Sequence, residues 1–231
     1  MKIGLIAIAT GKYTHFIPEL YEGFKNNFFV NDERTLFCIT DNITDSAIPK
    51  EVVTLQTTHE PWPGPTLKRY HKILEHEDAF KGYDYIFMID ADMLIVNKVD
   101  SEILPKDYEK VTGTLHPGFL HKPGTYETNP ISTACIDPLK GQFYYAGAFN
   151  GGFTRAFLNM CRVIANNIDQ DLVKNYIAIW NDESHLNKYY SEHPPKRLTP
   201  EYCYPQHVNF DLLPFEKRII AITKQLSEYQ Q

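Results

Sequence analysis

An apolar stretch that ends in two acidic residues constrains the fold of this chain more than any other feature. Residues 83–95 read YDYIFMIDADMLI, a run rich in Ile and Phe with few polar side chains. Such a run predicts a strand buried on both faces, as at the centre of a parallel sheet that helices cover. Because charged side chains do not belong inside it, we expect Asp90 and Asp92 at its carboxyl end. In open α/β sheets that edge binds ligands.

The spacing of Asp90 and Asp92 suits one shared ligand. Side chains two positions apart in an extended segment point to the same side. Two carboxylates this close repel each other unless a cation or a proton lies between them. A hard divalent ion, Mn²⁺ or Mg²⁺, prefers oxygen ligands of this kind. The alternative is a polar turn in which one aspartate caps the next element.

The composition limits the class of protein and its partners. A chain of 231 residues with 43% apolar and 23% charged residues is expected to form one globular domain, residues 1–231, with a sizeable core. The formal charge is −6 and there is no basic stripe, which argues against a nucleic-acid partner. No stretch approaches the roughly 18–20 apolar residues of a membrane span, so we expect no spanning segment.

The N-terminus and the cysteines both favour a cytoplasmic protein. Residues 1–11 predict a first strand entering a loop, because a signal peptide would show a stronger basic region and a cleavage site. Cys38, Cys135, Cys161 and Cys203 are scattered, and no C-x-x-C pair occurs. Neither a zinc site nor a disulfide framework is therefore predicted.

The first part of the chain alternates strands with a helix. Residues 3–9, 34–40 and 51–55 predict strands, and the spacing of apolar residues over 16–28 predicts a helix that packs on the sheet. This order is typical of the nucleotide-binding half of a doubly wound α/β fold. Neither a G-x-G-x-x-G fingerprint nor a G-x-x-x-x-G-K-[ST] loop occurs, which argues against a dinucleotide site and a P-loop.

A second helix is predicted between the Pro-rich break at residues 61–65 and the acidic strand. Thr66 is its candidate N-cap, and apolar residues at helical spacing follow. Its other face carries four basic side chains, Lys68, Arg69, His71 and Lys72. Such a face is ordinarily solvated, but one of these cations is close enough in sequence to meet the carboxylates of the strand.

The second half of the chain is richer in turns. Residues 143–152 are aromatic and then glycine-rich, which suits either close approach of a ligand to the backbone or a tight turn before a helix starting near Phe153. Asp182 and Glu183 open a further helix, where acidic residues are expected from the helix dipole alone. Residues 215–224 end in a basic segment that we expect to be mobile.

Six segments, in order along the chain, together carry a resemblance to a known family. They are residues 3–13, the Asp90-Ala91-Asp92 triplet, and residues 115–119, 144–152, 180–189 and 200–202. The run WNDESHLNKY at 180–189 is the most specific of them. On these segments the chain resembles glycosyltransferase family 6, the retaining α-1,3 glycosyltransferases that include the blood-group A and B transferases and the α-1,3-galactosyltransferases. The membrane anchor and stem of animal members are not seen, so we expect a soluble member of the microbial or viral type.

The resemblance implies a GT-A fold. In it a Rossmann-like nucleotide-binding half with a mixed central sheet, residues 1–95, joins an acceptor-binding half, residues 96–231, that ends in a closing tail. The implied substrates are a UDP-sugar donor and an oligosaccharide or glycan acceptor. The implied cofactor is Mn²⁺, with Mg²⁺ as the alternative, held by Asp90 and Asp92. Glu183 matches the catalytic carboxylate, either as a nucleophile or as electrostatic support for an oxocarbenium-like state.

The resemblance also assigns binding roles to individual residues. The residues matching nucleotide-binding positions are Ile8, Thr10, Tyr13, Asp90 and Lys224. Those matching donor-sugar positions are Arg69, Ala146, Gly147, Ala148 and Asp182. Those matching acceptor positions are His116, Thr125 and Trp180. Alanine at position 148 leaves less room for an N-acetyl group than glycine, which slightly favours galactose over N-acetylgalactosamine, although the small Ala146 opens room nearby.

Three departures from the family pattern leave the acceptor open. Asn181 replaces a common histidine, Thr128-Asn129 replaces a pair of arginines, and Pro205 stands where animal members carry an acidic acceptor contact. Two alternatives to transfer are hydrolysis of a UDP-sugar and binding of a nucleotide or glycan without turnover. A pure binding module has no need of Glu183, which argues against the second alternative.

Overall fold

The computed structural model describes residues 1–137, 141–209 and 211–224. Their strands form two β-sheets. The strands are, in chain order, β1 (Lys2–Ile8), β2 (Glu33–Thr40), β3 (Val53–Gln56), β4 (Tyr85–Asp90), β5 (Met93–Ile95), β6 (Val111–Leu115), β7 (Tyr145–Phe153), β8 (Lys196–Leu198), β9 (Tyr204–Pro205) and β10 (Ile219–Ala221). The α-helices are α1 (Ile17–Asn27), α2 (Gly64–Leu67), α3 (Arg69–Leu74), α4 (Thr154–Val173) and α5 (Asn181–Glu192). Short 3₁₀ helices occupy Gly11–Phe16, Glu77–Phe80, Ser101–Ile103, Pro117–Phe119 and Pro200–Tyr202.

The larger sheet has seven strands in the order β3-β2-β1-β4-β7-β6-β8. The first four strands of this order, β3, β2, β1 and β4, run parallel to one another. β7 runs antiparallel to both β4 and β6. The predicted α/β class with a mixed central sheet is therefore confirmed. Ile8 of β1 lies opposite Asp90 of β4, so the carboxyl ends of these two strands meet at one edge of the sheet.

Helices cover both faces of this sheet. On one face, α1 places Leu20 in a core cluster that includes Phe87 of β4. On the other face, α4 places Phe157 in a cluster with Met88, the next residue of β4. Successive side chains of β4 thus contact opposite layers, as expected for a strand buried on both sides. Each such buried side chain contributes about 1.5–3 kcal/mol through the hydrophobic effect.

The acidic end of β4 is also the point where the chain leaves the large sheet. β4 ends at Asp90, as predicted, and Ala91 and Asp92 form a turn. The apolar residues that follow form β5, which pairs with β10 in a second sheet ordered β5-β10-β9. The expectation of a mobile C-terminal segment is wrong for Ile219–Ala221, because these apolar residues form the central strand of that sheet.

The helix predicted after the Pro-rich break is divided in two. Lys68 separates α2 from α3 with φ −103° and ψ 17°, and Thr66 lies inside α2 rather than at an N-cap. The expectation of a solvated basic face is wrong for Lys72, whose side chain is 2% exposed. Its Nζ donates to the Thr58 carbonyl oxygen at 2.9 Å and to Glu60 at 3.3 Å. A buried ammonium group needs such partners, and they come from a different segment of the chain.

The glycine-rich segment at residues 143–152 is not a tight turn, because most of it forms β7 in the middle of the sheet. Gly151 is required by the neighbouring strand, since a Cβ atom there would lie 2.5 Å from the Ile86 carbonyl oxygen. β6 likewise lies in a stretch that was expected to be irregular. It pairs with β7 through a register shift between Gly113 and Thr114. The small residues therefore serve close strand packing.

Other sequence expectations can be compared directly with the structure. The helix predicted near Phe153 is confirmed as α4, which starts at Thr154. The third strand, predicted over 51–55, lies at the sheet edge as β3 and is shifted by about two residues. The four cysteines are free thiols. Within the described ranges, no helix combines the length and the apolar character needed to cross a membrane.

Candidate functional site

A cavity of about 250 Å³ opens at the edge where β1 and β4 end. It is lined by all five residues predicted to bind nucleotide, namely Ile8, Thr10, Tyr13, Asp90 and Lys224. Arg69 and Asp92 line it as well. His59 and Trp62 also line it, and neither was identified from the sequence. Trp62 lies in the Pro-rich break, which by itself predicts only a boundary between elements, and His59 lies just before that break.

Loops after three neighbouring strands are tied together beside this cavity. Gly11 has φ +56°, a conformation that glycine adopts without strain. Its N–H donates to Asp41 Oδ1 at 2.8 Å, which joins the ends of β1 and β2. His59 Nδ1 lies 3.1 Å from the Thr10 hydroxyl, which brings in the segment after β3. The wall that holds Ile8 and Thr10 is therefore fixed by polar contacts between loops.

Asp90 and Asp92 form ion pairs with different basic side chains. Arg69 Nη1 lies 2.8 Å from Asp90 Oδ1. Lys224 Nζ donates to Asp92 Oδ2 and, at 2.7 Å, to the Tyr13 hydroxyl. Burial raises the pKa of Asp90, the Arg69 charge opposes this effect, and the neighbouring Asp92 charge adds to it. Burial lowers the pKa of Lys224, but Asp92 and Tyr13 together raise it above its ordinary value.

The two carboxylates fit a divalent cation that completes its shell from the substrate. Among the described residues no group of three His, Cys, Asp or Glu side chains forms a complete metal site. Mg²⁺ and similar hard ions are often bound through only one or two carboxylates together with substrate phosphates. Asp90 and Asp92 supply carboxylate oxygens at the cavity, and both are compensated here by positive side chains. This donor set suits Mn²⁺ or Mg²⁺ accompanied by a diphosphate.

Arg69 connects the cavity to the second half of the molecule. Besides Asp90, its Nη1 donates to the Gly147 carbonyl oxygen of β7 at 3.1 Å, and its Nε lies 2.8 Å from Asp182 Oδ2 of α5. The Asp182 side chain is only 1% exposed. Burial raises the pKa of Asp182 to about 7, although Arg69 acts in the opposite direction. The helix dipole alone does not explain an aspartate buried against a guanidinium group.

Glu183, in the first turn of α5, contacts the same residue of β7 as Arg69 does. Its Oε2 accepts a hydrogen bond from the Gly147 N–H at 2.8 Å. Burial raises the pKa of Glu183, and the Gly147 N–H lowers it. Asn181, which precedes the two acids, has φ +49°, a region in which asparagine is enriched among residues with a Cβ atom. The start of α5 therefore directs both acids inward.

The residues predicted to bind the acceptor lie outside this cavity. His116 Nδ1 accepts from the Gly118 N–H at 3.0 Å, and its ring contacts that of Tyr144 at 5.8 Å between centroids. Thr125 is exposed, and Trp180 is 48% exposed. The structure thus does not bring these three predicted residues into one pocket with the nucleotide-binding set.

The residues predicted to contact the donor sugar are only partly gathered. Arg69 lines the cavity. Gly147 and Asp182 both contact the Arg69 side chain. Ala146 is buried in the main core cluster, and the partly exposed Ala148 packs against that cluster. They flank Gly147 along β7, where the pairing with β6 shifts register between Ala146 and Asn150.

The sequence of the whole chain matches a single family model. That model, Glycosyltransferase family 6, matches residues 1–231. The chain belongs to glycosyltransferase family 6. The resemblance inferred from the six sequence segments is thereby confirmed.

Relatives of this family 6 chain occur in animals and bacteria. It is 34% identical to Histo-blood group ABO system transferase 1 of Rattus norvegicus over 216 residues, which are 88% of this chain and 61% of that protein. It is 31% identical to Globoside alpha-1,3-N-acetylgalactosaminyltransferase 1 of Homo sapiens over 235 residues, 93% of this chain and 65% of that protein. It is 29% identical to O-antigen biosynthesis glycosyltransferase WbnI of Escherichia coli over 213 residues, 89% of each chain. The family 6 chain thus spans less than two thirds of the length of the two animal relatives.

Proposed function

We propose that this chain is a retaining α-1,3-glycosyltransferase. It transfers galactose, or N-acetylgalactosamine, from a UDP-sugar to a hydroxyl group of an oligosaccharide or glycan, and it depends on Mn²⁺, with Mg²⁺ as the alternative. Membership of glycosyltransferase family 6 supports glycosyl transfer. The similarity to the human globoside alpha-1,3-N-acetylgalactosaminyltransferase supports N-acetylgalactosamine and an α-1,3 linkage as candidates. Alanine at position 148 supports galactose instead, as argued from its size.

The contacts of Arg69 are the observation that carries this proposal. One guanidinium group contacts Asp90 at the cavity, the Gly147 carbonyl of β7 and Asp182 of α5. The N–H of the same Gly147 binds Glu183. The cavity and the partly buried Glu183 carboxylate are therefore linked through one side chain and one peptide segment. This arrangement suits a substrate with a nucleotide diphosphate at one end and a sugar at the other.

The nucleotide end of the donor is accommodated by β1 and its loop. In the proposal, Ile8, Thr10 and Tyr13 contact the uracil and ribose, and Lys224 contacts the phosphates. A chain with formal charge −6 needs local positive charge to bind a diphosphate. Arg69 and Lys224 supply it at the cavity.

Asp90 and Asp92 complete the phosphate side of the site. They would hold the divalent cation, which when bound neutralises the diphosphate and stabilises charge on the departing UDP. In its absence, Arg69 and Lys224 compensate the two carboxylates. The ion pairs keep these acidic side chains in place at the edge of the cavity.

Glu183 is the proposed catalytic residue. The C1–O bond to UDP breaks with its electron pair leaving on the diphosphate, and positive charge develops at C1. The Glu183 carboxylate either bonds to C1 or stabilises that charge. The acceptor oxygen then bonds to C1, breaking the C1–Glu183 bond where one has formed, and the hydroxyl proton passes to a phosphate oxygen of the departing UDP. The Gly147 N–H acts against burial and favours the ionised carboxylate that both routes require.

The sugar and acceptor residues complete the proposal. Asp182 binds donor-sugar hydroxyls, and Ala146, Gly147 and Ala148 shape the space beside the sugar. The exposed side chains of Thr125 and Trp180, together with His116, are available to an acceptor that arrives from solvent.

The test is a panel of UDP-sugars with Mn²⁺, each with fucosylated and unfucosylated galactoside acceptors, with products identified by mass spectrometry. We expect a mass increase of one hexose or one N-acetylhexosamine on an acceptor, and NMR of the product should show an α-1,3 linkage. A β-linked product would overturn retention. UDP release that does not rise when acceptor is added would instead support the hydrolase, and UDP binding without any release would support a binding module.

A further inference from the structure

Tyr144 places a buried hydroxyl group beside the proposed catalytic carboxylate. Its side chain is 3% exposed. Within the described part of the chain, its hydroxyl has no hydrogen-bond partner of ordinary geometry. The hydroxyl nevertheless lies close enough to Glu183 for each group to affect the pKa of the other. A buried hydroxyl without a hydrogen-bond partner is unfavourable, so its presence calls for an explanation.

The ring of Tyr144 is held by the loop that carries two of the predicted acceptor residues. Phe119, Tyr126 and His116 have ring centroids 4.7, 5.4 and 5.8 Å from that of Tyr144. Gly124 lies directly against the ring, because a Cβ atom there would be 2.1 Å from Tyr144 Cδ2. The loop thus fixes the direction in which the hydroxyl points.

The backbone around Tyr144 is attached to the helix that carries Glu183. The side chain of Asn187, in α5, accepts from the Tyr145 N–H at 2.8 Å and donates to the Tyr145 carbonyl at 2.9 Å. It also donates to the Glu183 carbonyl at 2.9 Å. The distance between Tyr144 and Glu183 is therefore set by a rigid connection between β7 and α5.

The carboxylate itself needs a second contact. The Gly147 N–H binds one oxygen of Glu183, Oε2, which leaves the plane of the carboxylate free to turn about that contact. A hydroxyl donor directed at the same carboxylate removes this freedom. We propose that Tyr144 is a positioning residue that orients the Glu183 carboxylate toward the donor sugar, with residues 116–126 holding its ring. This inference rests on the proposed function, because it assigns Glu183 the catalytic role.

Replacing Tyr144 by phenylalanine removes the hydroxyl and keeps the ring. We expect Tyr144→Phe to lower kcat about tenfold, the effect of one well-placed hydrogen bond in the transition state. The KM for the UDP-sugar and the Kd for UDP should change less than about twofold, and the thermal midpoint should stay the same or rise. The matched control is Tyr145→Phe, which removes the hydroxyl of the adjacent ring, packed against Tyr190 at 4.9 Å instead. That variant should retain its kcat.

Gly124→Ala supplies an independent check through the ring. The added methyl group must displace Tyr144, so kcat should fall in the otherwise unchanged protein. In the Tyr144→Phe background the same change should lower kcat little further, because the hydroxyl it misplaces is already gone. Full additivity of the two effects would overturn the proposal. So would a Tyr144→Phe enzyme with the kcat of the Tyr145→Phe control.

A measurement without turnover separates this inference from the proposed function. Crystal structures of the unchanged and Tyr144→Phe proteins should show Glu183 in one orientation bonded to the hydroxyl in the first, and rotated or in several orientations in the second. A Glu183 carboxylate that keeps the same single orientation in the Tyr144→Phe protein would refute the positioning role even if sugar transfer is demonstrated. Absence of transfer with an ordered Tyr144–Glu183 contact would refute the proposed function alone.

Discussion

Two groups of carboxylates in this molecule are stabilised in different ways. At the cavity, Asp90, Asp92 and Asp182 are compensated by cationic side chains. In the other group, Glu127 and Asp171 are bound mainly by neutral donors. A lysine or arginine side chain can exchange its carboxylate for a ligand, whereas a backbone N–H cannot move away without unfolding its segment. The first group is therefore suited to binding, and the second to fixing the chain.

The contacts of Glu127 show the second kind of bonding. Its carboxylate accepts from the Asn129 N–H at 2.7 Å, the Ile179 N–H at 2.9 Å and the Tyr176 hydroxyl at 2.9 Å. Burial raises the pKa of Glu127, but these donors lower it by more. The loop after residue 126 is thereby attached to the segment that leads to Trp180.

Asp171 plays the same part at the end of α4. It accepts from the Ser132 hydroxyl at 2.5 Å and from the Thr133 N–H at 2.8 Å. His185 of α5 lies 3.7 Å away, and burial lowers the pKa of this histidine to about 4, although Asp171 opposes the shift. The histidine is therefore neutral at pH 7. Polar contacts with little net charge secure the loops, while ion pairs surround the cavity.

The largest expected effect separates the proposed catalytic carboxylate, Glu183, from a structural one, Glu127. Glu183→Gln should lower kcat about 10³-fold, because the charge proposed to stabilise the transition state is removed. UDP affinity, measured by calorimetry, should change little. Glu127→Gln is the matched control and should retain most of its kcat at a temperature where it is folded. An active Glu183→Gln enzyme would show that the catalytic assignment is wrong.

The second prediction concerns the metal. Asp92→Asn should abolish stimulation by Mn²⁺ and lower kcat about 10²-fold, because one of two anionic ligands is lost. Asp171→Asn changes a carboxylate of the other group in the same way and should leave the metal response intact. The measurement is kcat against Mn²⁺ concentration after treatment with EDTA. Full activity of the unchanged protein in EDTA would contradict the metal assignment.

The structural carboxylates should affect stability instead. Glu127→Gln should lower the free energy of unfolding by about 1–3 kcal/mol, because an amide nitrogen replaces an acceptor opposite buried donors. Urea denaturation at 25 °C measures this difference. Asp92→Asn should lower stability less, since it removes an ion pair and leaves Lys224 able to reach solvent. The reverse order of the two effects would remove the distinction between the groups.

A smaller effect concerns the choice of sugar beside the cavity. Ala148→Gly should shift the ratio of kcat/KM values toward N-acetylgalactosamine by about fivefold, near the low end of what one methyl group changes in a binding pocket. Competition between the two UDP-sugars, with products separated by mass, measures the ratio directly. An unchanged ratio would remove position 148 from donor specificity.

The smallest predicted effect tests whether His185, which lies beside Asp171, is neutral in the folded protein. His185 has a folded pKa below its unfolded value, so the unfolded chain binds more protons between these values and stability falls as the pH drops. From pH 7 to pH 5.5 this group should account for a loss of about 1 kcal/mol. His185→Gln should lose correspondingly less stability over the same interval, as measured by urea denaturation at both pH values. Equal pH dependence in the two proteins would contradict the assignment.

Local pattern was sufficient where burial follows sequence periodicity. The apolar run before Asp90 and the end of the glycine-rich segment near Phe153 indicate β4 and the start of α4, and both form as predicted. The same reasoning failed for Lys72 and Asp182, which are charged residues that a local pattern assigns to the surface. Lys72 is buried by partners in an adjoining loop, and Asp182 by Arg69, more than a hundred residues earlier.

The candidate site depended on recognising the family. Spacing suggested a cation for Asp90 and Asp92, but not that Arg69 and Lys224 would compensate them separately. The interaction of Lys224 with Asp92 spans 132 residues, and it arises because β5 and β10 pair in the small sheet. Tyr144 lay within a resembling segment, yet only the structure shows its hydroxyl beside Glu183.

The small sheet also fixes how far Lys224 can extend from β10. Ala221 of β10 is opposite Met93, and the Ile222 N–H donates to the Asp92 carbonyl at 3.1 Å. Only Ile222 and Thr223 then separate the strand from Lys224. The lysine is thus a cation on a two-residue tether anchored at the very turn it neutralises. An extra glycine inserted in that tether would leave every charge in place and still carry the ammonium group past its target.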